Sequence, residues 1–399
     1  MKLESFLPAC LLALSTMAAA QTPQLPQPRP TLPQPAAPVP QAPTVNASSW
    51  LLMDYATGQI LAASEPEKQV EPASITKVMT SYVVAAEIAA GRISLNDEVT
   101  VSENAWRGGG GGTDGSTSFL PVNSKVKLSD LLHGMIIQSG NDASIALAEH
   151  VAGSEGAFAD LMNAYAKKLG LNATHYVNSH GLSAIGHVTT AHDIARLSQA
   201  LIRDFPEEYA FYSVKEFTFN GIRQYNRNTL LWKDASVDGI KTGHHSAAGY
   251  CLAASAKQGE QRLISVVMGS TSEKQRAEDS YALLTWGFRF FESHTLYGAG
   301  EAVATPKLWK GETDTLALGL SEPLGVVVPR GRYEEVKAEM DLPNPLVAPF
   351  EQGQQIGTLR VRLGDALLAQ RPLVALSAAP EGGFFKRIGD GFWMWWESD

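Results

Sequence analysis

The period of apolar residues changes several times along the chain. The run Trp50-Leu51-Leu52-Met53-Asp54-Tyr55, the polar Ala56-Thr57-Gly58-Gln59 and then Ile60-Leu61-Ala62 predict strand, turn, strand. Pro72-Ala73-Ser74-Ile75-Thr76-Lys77 opens a helical run to Ala90, with proline and serine as start signals. Helical spacing returns over 131–137, after Ser129-Asp130, and over 142–151, 158–169 and 191–202. The pattern then shortens. Residues 215–219 alternate up to a turn at Asn220-Gly221, 239–242 and 249–256 read as a hairpin pair, and 263–268 as a further strand. A helix follows over about 272–291. This order predicts an α+β (α/β) core of about 250 residues.

Beyond residue 293 the texture is different. Gly311, Gly331, Pro343, Pro345, Pro349 and Gly353 punctuate short strand candidates, 358–363 alternates with period two, and 372–376 is apolar. A small all-β domain is expected over 295–380, after a core domain at 47–294. In the tail, 381–399, Phe384, Phe385, Ile388, Phe392, Trp395 and Trp396 fall on one side of a helix. That helix is too short to span a bilayer and suits a membrane interface. Its two basic and four acidic residues attract anionic lipid weakly, and Gly389 and Gly391 lower its helix propensity. The competing expectation is that it packs on the second domain.

The beginning of the chain lies outside this pattern. Lys2, the apolar run 6–13 and Ala18-Ala19-Ala20 read as a secretory signal over 1–20, too short for a membrane span. Residues 21–46 are mostly proline, glutamine and alanine, an extended spacer. The 399 residues carry a net charge of −9, and that balance argues against a nucleic-acid partner. Of two cysteines, Cys10 leaves with the signal and Cys251 stays as a single buried thiol. The histidines show no HExxH spacing, and the adjacent His244 and His245 on an extended chain point opposite ways, so no metal or other cofactor is expected.

Three short motifs carry chemistry. In Ser74-Ile75-Thr76-Lys77, residues three apart share a helix face, so a weakly nucleophilic hydroxyl meets an amine that burial can turn into a base. Ser139-Gly140-Asn141, between two helical stretches, presents a hydroxyl and an amide together. Lys241-Thr242-Gly243 ends a strand, where a cation and a hydroxyl can bind a carboxylate and glycine leaves room for a ligand. Each alone is weak. In this order they are the signature set of penicillin-binding proteins and serine β-lactamases.

Beyond these triplets the chain resembles low-molecular-mass penicillin-binding proteins of the D-alanyl-D-alanine carboxypeptidase type. The resemblance extends to His180-Gly181-Leu182, to Phe217-Thr218-Phe219-Asn220-Gly221, to Val237-Asp238-Gly239-Ile240 before the third motif and, in the second domain, to Pro329-Arg330-Gly331-Arg332. It implies a serine β-lactamase/transpeptidase-like domain with a central antiparallel sheet flanked by helices. It also implies roles: Ser74 as acylated nucleophile, Lys77 as base, and Ser139 as proton shuttle. Asn141 would hold the acyl side, and Lys241 and Thr242 of the KTG triplet with Gly243 the terminal carboxylate, supported by Arg276. The N–H groups of Ser74 and His244 would form the oxyanion hole. The implied partners are peptidoglycan pentapeptides and β-lactam inhibitors, and the implied location is the periplasmic face of a bacterial inner membrane, held by the C-terminal helix. A β-lactamase of the same fold and a non-catalytic penicillin-binding scaffold remain as alternatives. One stretch departs from the family: Gly108 to Gly112 are consecutive glycines, ahead of Gly115-Ser116, which resembles a family loop element. A loop of raised mobility is expected there.

Overall fold

The structure is a computed structural model that describes residues 39–110 and 115–397. The secretory signal and most of the proline-rich spacer therefore lie outside the described residues. The chain divides into two units, one of residues 39–294 with 327–332, the other of 295–326 with 333–397.

In the first unit, β1 (Ser49–Asp54) and β2 (Ile60–Ser64) form the expected hairpin. A 3-10 turn, Ala73–Thr76, runs into α1 (Lys77–Ala89). The short β3 (Glu98–Thr100) and β4 (Lys125–Lys127) pair around α2 (Glu103–Gly110). Then come α3 (Leu128–His133), α4 (Asn141–Ala152), α5 (Glu155–Lys168), α6 (Ala191–Asp204) and the one-turn α7 (Pro206–Tyr209). A second hairpin, β5 (Glu216–Phe219) with β6 (Ile222–Tyr225), turns through Asn220 and Gly221, both at positive φ. After α8 (Leu230–Lys233), β7 (Val237–His245), β8 (Gly249–Gln258) and β9 (Gln261–Ser270) lead to α9 (Glu273–Phe290). Side chains of Ser154, Thr190 and Ser272 cap α5, α6 and α9 by accepting from the N–H three residues on.

The main sheet has the antiparallel order β2-β1-β9-β8-β7. Strand side chains alternate between faces, and the core divides by that parity. Trp50, Leu52, Leu252, Ala254, Leu263 and Val267 pack with Leu283, Leu284 and Trp286 of α9. Leu51, Met53, Cys251, Ala253, Ile264 and Val266 pack with the helices of the opposite face, among them Val78, Val83 and Leu197. Both faces are covered, so β1 reads as an unbroken apolar run rather than an alternating one.

Two expectations are corrected. The helix predicted over 131–137 is split, because α3 stops at His133 and a π turn, Gly134–Gln138, replaces its end. Met135, Ile136 and Ile137 are all buried, so apolar spacing could not show the wider winding. The glycine run is also not wholly a loop. Gly108, Gly109 and Gly110 complete α2, and α2 lies on α4. A Cβ on Gly109 would stand 2.1 Å from the backbone nitrogen of Asp142. Its absence permits the contact, at a helix cost of about 0.5–1 kcal/mol. Gly111 and Gly112 lie outside the described residues.

In the second unit, β11 (Ala302–Ala304), β12 (Leu318–Gly319), β14 (Val336–Asp341), β15 (Gln355–Leu363) and β16 (Ala366–Ala375) form a sheet of order β11-β12-β16-β15-β14. The intervening β10 (Phe291–Tyr297) and β13 (Leu324–Pro329) span the points where the two units divide the chain. Leu308, Leu316, Leu318, Leu346, Ile356 and Ala375 form a core of this unit. The last helix, α10 (Phe384–Glu397), is tied down by polar groups: the Asp390 carboxylate accepts from the Lys310 N–H at 2.6 Å, and Lys386 pairs with Asp314. Its aromatic side is exposed, with Phe385 at 87% and Trp396 at 64%, so packing of that face on the β domain is not what the helix does. Among the described residues no helix is long and apolar enough to cross a membrane.

Candidate active site

The 3-10 turn carries Ser74 and hands directly to α1, whose first residue is Lys77. Ala73 sits at φ +47, a strained value for a residue with a Cβ, and such strain clusters at functional sites. Lys77 is fully buried and its Nζ has three oxygen neighbours: Ser74 Oγ at 3.0 Å, Asn141 Oδ1 at 2.7 Å and the His180 carbonyl at 2.6 Å. The last two oxygens can only accept. A neutral amine therefore spends its two N–H groups on them and turns its lone pair to the Ser74 hydroxyl. Burial lowers the Lys77 pKa to about 7, against the opposing pull of the Asp142 and Glu155 carboxylates and with help from the Arg227 cation.

The π turn ends at Ser139, in the left-handed region at φ +67. Its Oγ is buried and has no hydrogen-bond partner among the described residues. Asn141 begins α4 one residue after Gly140, and its N–H donates to Ser116 O at 2.8 Å. The neighbouring Asp142 carboxylate accepts from the N–H groups of Ser118 (2.8 Å) and Leu120 (3.1 Å) and from Thr117 Oγ1 (2.8 Å). The far end of the glycine-run segment is thus fixed to the same turn of helix that presents Asn141.

On the edge strand β7, Lys241, Thr242 and Gly243 are buried. A Cβ on Gly243 would lie 3.1 Å from Pro72 O and 3.2 Å from Ala73 Cβ, so glycine lets β7 come close to the turn that bears Ser74. Lys241 Nζ donates to Thr242 O at 3.3 Å, and burial, with the Lys77 charge next in weight, pushes its pKa well below the ordinary lysine value. Arg276 is not a surface residue. It is 4% exposed, its Nη1 donates to Gly243 O at 3.1 Å, its Nη2 reaches Glu273 Oε1 at 3.3 Å, and its guanidinium lies 5.6 Å from the Tyr250 ring centroid. His244 is exposed and stacks on Tyr250 at 3.9 Å, whereas His245 Nδ1 accepts from the Ala248 N–H. Cys251 is buried and unpaired, its thiol pushed up to about 11 by desolvation.

Sequence reasoning missed four contributors. The His180 carbonyl has no side-chain signature. Asp142 stands in the sequence only as the first residue of a helical stretch, next to the second motif. Glu155 starts α5 and accepts from Ser179 N–H (3.0 Å) and Oγ (2.6 Å), which braces the segment carrying the His180 carbonyl. Arg227 donates from Nε to Gln138 O at 3.1 Å, and no local pattern marks it. Among the described residues no group of three His, Cys, Asp or Glu side chains is placed to hold a metal ion.

Known families match the chain over most of its length. The family pattern of D-alanyl-D-alanine carboxypeptidases matches residues 36–272, and that of the penicillin-binding protein 5 C-terminal domain matches residues 291–381. The chain is 49% identical to D-alanyl-D-alanine carboxypeptidase DacC of Escherichia coli (strain K12) over 352 residues, covering 88% of each. It is 46% identical to DacA of the same strain over 351 residues, covering 87% of each. Among solved structures, penicillin binding protein 5 from Haemophilus influenzae superposes with a TM-score of 0.82 at 41% identity, covering 86% of this chain and 99% of that one. A serine hydroxyl within reach of a buried lysine, on a penicillin-binding fold and with relatives of this identity, leaves one assignment: the chain belongs to the D-alanyl-D-alanine carboxypeptidase family.

Proposed function

We propose that this enzyme removes the terminal D-alanine from peptidoglycan pentapeptides through an acyl-enzyme on Ser74, and that penicillins acylate the same hydroxyl. The observation that carries the residue assignment is the 3.0 Å contact between Ser74 Oγ and a lysine whose ammonium form is disfavoured by burial. Neutral Lys77 takes the Ser74 proton as Oγ attacks the carbonyl of the penultimate D-alanine. The N–H groups of Ser74 and His244 receive the developing oxyanion. Ser139, with its unpartnered Oγ, passes a proton to the departing D-alanine nitrogen. Asn141 orients the acyl side. Lys241, Thr242 and Arg276 meet the terminal carboxylate, which enters a field that Arg227 makes more positive. Water then cleaves the Ser74 ester.

The α10 helix anchors the protein at a membrane surface. Supporting this are its length, its exposed aromatic side and the polar contacts that turn the other side to the β domain. With the leader at 1–20, the location is the periplasmic face of the inner membrane.

The test is D-alanine release from a peptide ending in D-Ala-D-Ala, by the enzyme and by Ser74→Ala. Release that disappears in the variant, together with penicillin labelling, is the expected result. Release that persists in Ser74→Ala removes this serine from the mechanism.

A further inference from the structure

The face that β7 turns toward the nucleophile continues past the third motif. A Cβ on Gly243 would meet Pro72 O, Ala73 Cβ and Ile75 Cγ1, so this face of the strand looks onto the turn bearing Ser74. Side chains two residues apart on a strand share a face. His245, the last residue of β7, therefore follows Gly243 onto that turn, and its Nε2 lies 3.4 Å from Glu71 Oε2. His245 Nδ1 accepts from the Ala248 N–H at 3.1 Å, so the hydrogen of the neutral ring is on Nε2, facing a carboxylate. Both atoms are buried, and neither has a hydrogen-bond partner among the described residues. A buried donor and acceptor left unbonded are costly, and an approach of about 0.5 Å completes the bond.

The far end of the turn is already held. His187 Nδ1 accepts from the Val177 N–H at 2.9 Å, and its Nε2 donates to Thr76 Oγ1 at 2.8 Å. The near end is where Ala73 keeps its φ of +47, a conformation that persists when its surroundings over-determine it.

We infer that Glu71 and His245 are positioning residues that brace the oxyanion hole. For the peptide reaction this rests on the carboxypeptidase reading, whereas acylation by penicillin tests the brace by itself. Glu71 stands three residues before Ser74, and His245 directly follows His244. The two N–H groups that receive the oxyanion are carried on separate segments, and the Glu71–His245 contact ties one segment to the other. Such donors stabilise a developing charge when their spacing is set before it forms. Acylation and hydrolysis of the acyl-enzyme each pass through an oxyanion in the same hole, so a loosened brace slows both steps. Lys241, Thr242 and Arg276 bind the terminal carboxylate without it, so the ground-state affinity is kept.

The experiment compares the full-length enzyme with Glu71→Leu, His245→Asn, the two combined, and His245→Gln. Measured are kcat and KM on a D-Ala-D-Ala peptide and the acylation and deacylation rate constants with a fluorescent penicillin. Asparagine can still accept from the Ala248 N–H but is too short to reach Glu71, whereas the glutamine nitrogen can take the place of Nε2. Glu71→Leu and His245→Asn should each lose about tenfold in kcat and in both penicillin steps, with KM within about twofold. The double variant should lie within about threefold of either single, because one contact is lost once. His245→Gln should stay within about threefold of the unsubstituted enzyme. Complete penicillin labelling at long times, with an unchanged Tm, shows that a variant is folded. Losses that multiply in the double variant, a raised KM at unchanged kcat, unaltered rates in His245→Asn, or equal losses in His245→Asn and His245→Gln each overturn the brace. An unsubstituted enzyme that penicillin acylates but that releases no D-alanine refutes the carboxypeptidase reading instead, and the penicillin rate constants then decide the brace.

Discussion

The ionisation of Lys77 makes a quantitative claim. With a pKa of about 7, set by burial, the neutral amine is about 9% of the population at pH 6 and about 91% at pH 8. If acylation requires the neutral form, its rate constant rises about tenfold across that interval and levels off above it. An ordinary lysine, with a pKa near 10.4, would give a rise of about 100-fold over the same interval and no plateau. The assay is the second-order rate constant for acylation of Ser74 by a fluorescent penicillin between pH 5.5 and 9.5. A second perturbation fixes the sign. Glu155 and Asp142 are the carboxylates whose charge favours the ammonium form, while Arg227 opposes it. Glu155→Gln keeps an oxygen for the Ser179 donors, removes the charge and moves the ascending limb to lower pH. Lys241 is buried in the same field, so the limb reports the two lysines together, and the direction of its movement is the diagnostic. A limb that climbs without a plateau to pH 9.5, or one that moves upward in Glu155→Gln, refutes Lys77 as the depressed base.

Gly109→Val places a side chain against the Asp142 backbone and should cost about 1–3 kcal/mol, read as a fall of several degrees in Tm; an unchanged Tm would mean that α2 does not pack closely there. Arg276→Ala removes the donor to Gly243 O and a cation near the carboxylate, and kcat/KM for D-Ala-D-Ala peptides should drop about 10- to 100-fold, the worth of one hydrogen bond to a charged group. Wild-type kcat/KM in that variant would return Arg276 to a structural role. Truncation before Glu381 should abolish co-sedimentation with liposomes and leave peptide turnover intact, and equal binding by both forms would dispose of the anchor.

Most of the first unit was legible because its signals are local. Asn220-Gly221 turns a hairpin where two positive φ values are wanted, and Ser272 caps the helix it was expected to start. The three motifs were legible because chemistry fixes residue type and spacing. What escaped was decided by groups without a pattern. The π turn hides in an apolar run that is buried whichever way it winds. The acceptor that completes the Lys77 site is a main-chain carbonyl, at His180, which any residue could supply. Arg276 looks like other helix arginines until β7 is seen to lie against it. The glycines that end α2, 108–110, fall within the stretch expected to be a loop, because glycine is a poor helix former, and only the nearness of α4 explains why they are tolerated there.

The uniform glycine run conceals a difference that genetics would read unevenly. All five residues at 108–112 are alike, so deleting any one yields the same protein, and that shorter chain still has two glycines to set against α4. Deletion cannot tell the positions apart. Substitution can, because a methyl group at 109 meets the backbone of Asp142 beside Asn141, while none of that neighbour's atoms is within 4 Å of a Cβ at 108, which meets the flexible end of Ile145 instead. Variants found by random mutagenesis should therefore be scarce at Gly109 and tolerated at Gly108, within a stretch where length alone looks negotiable.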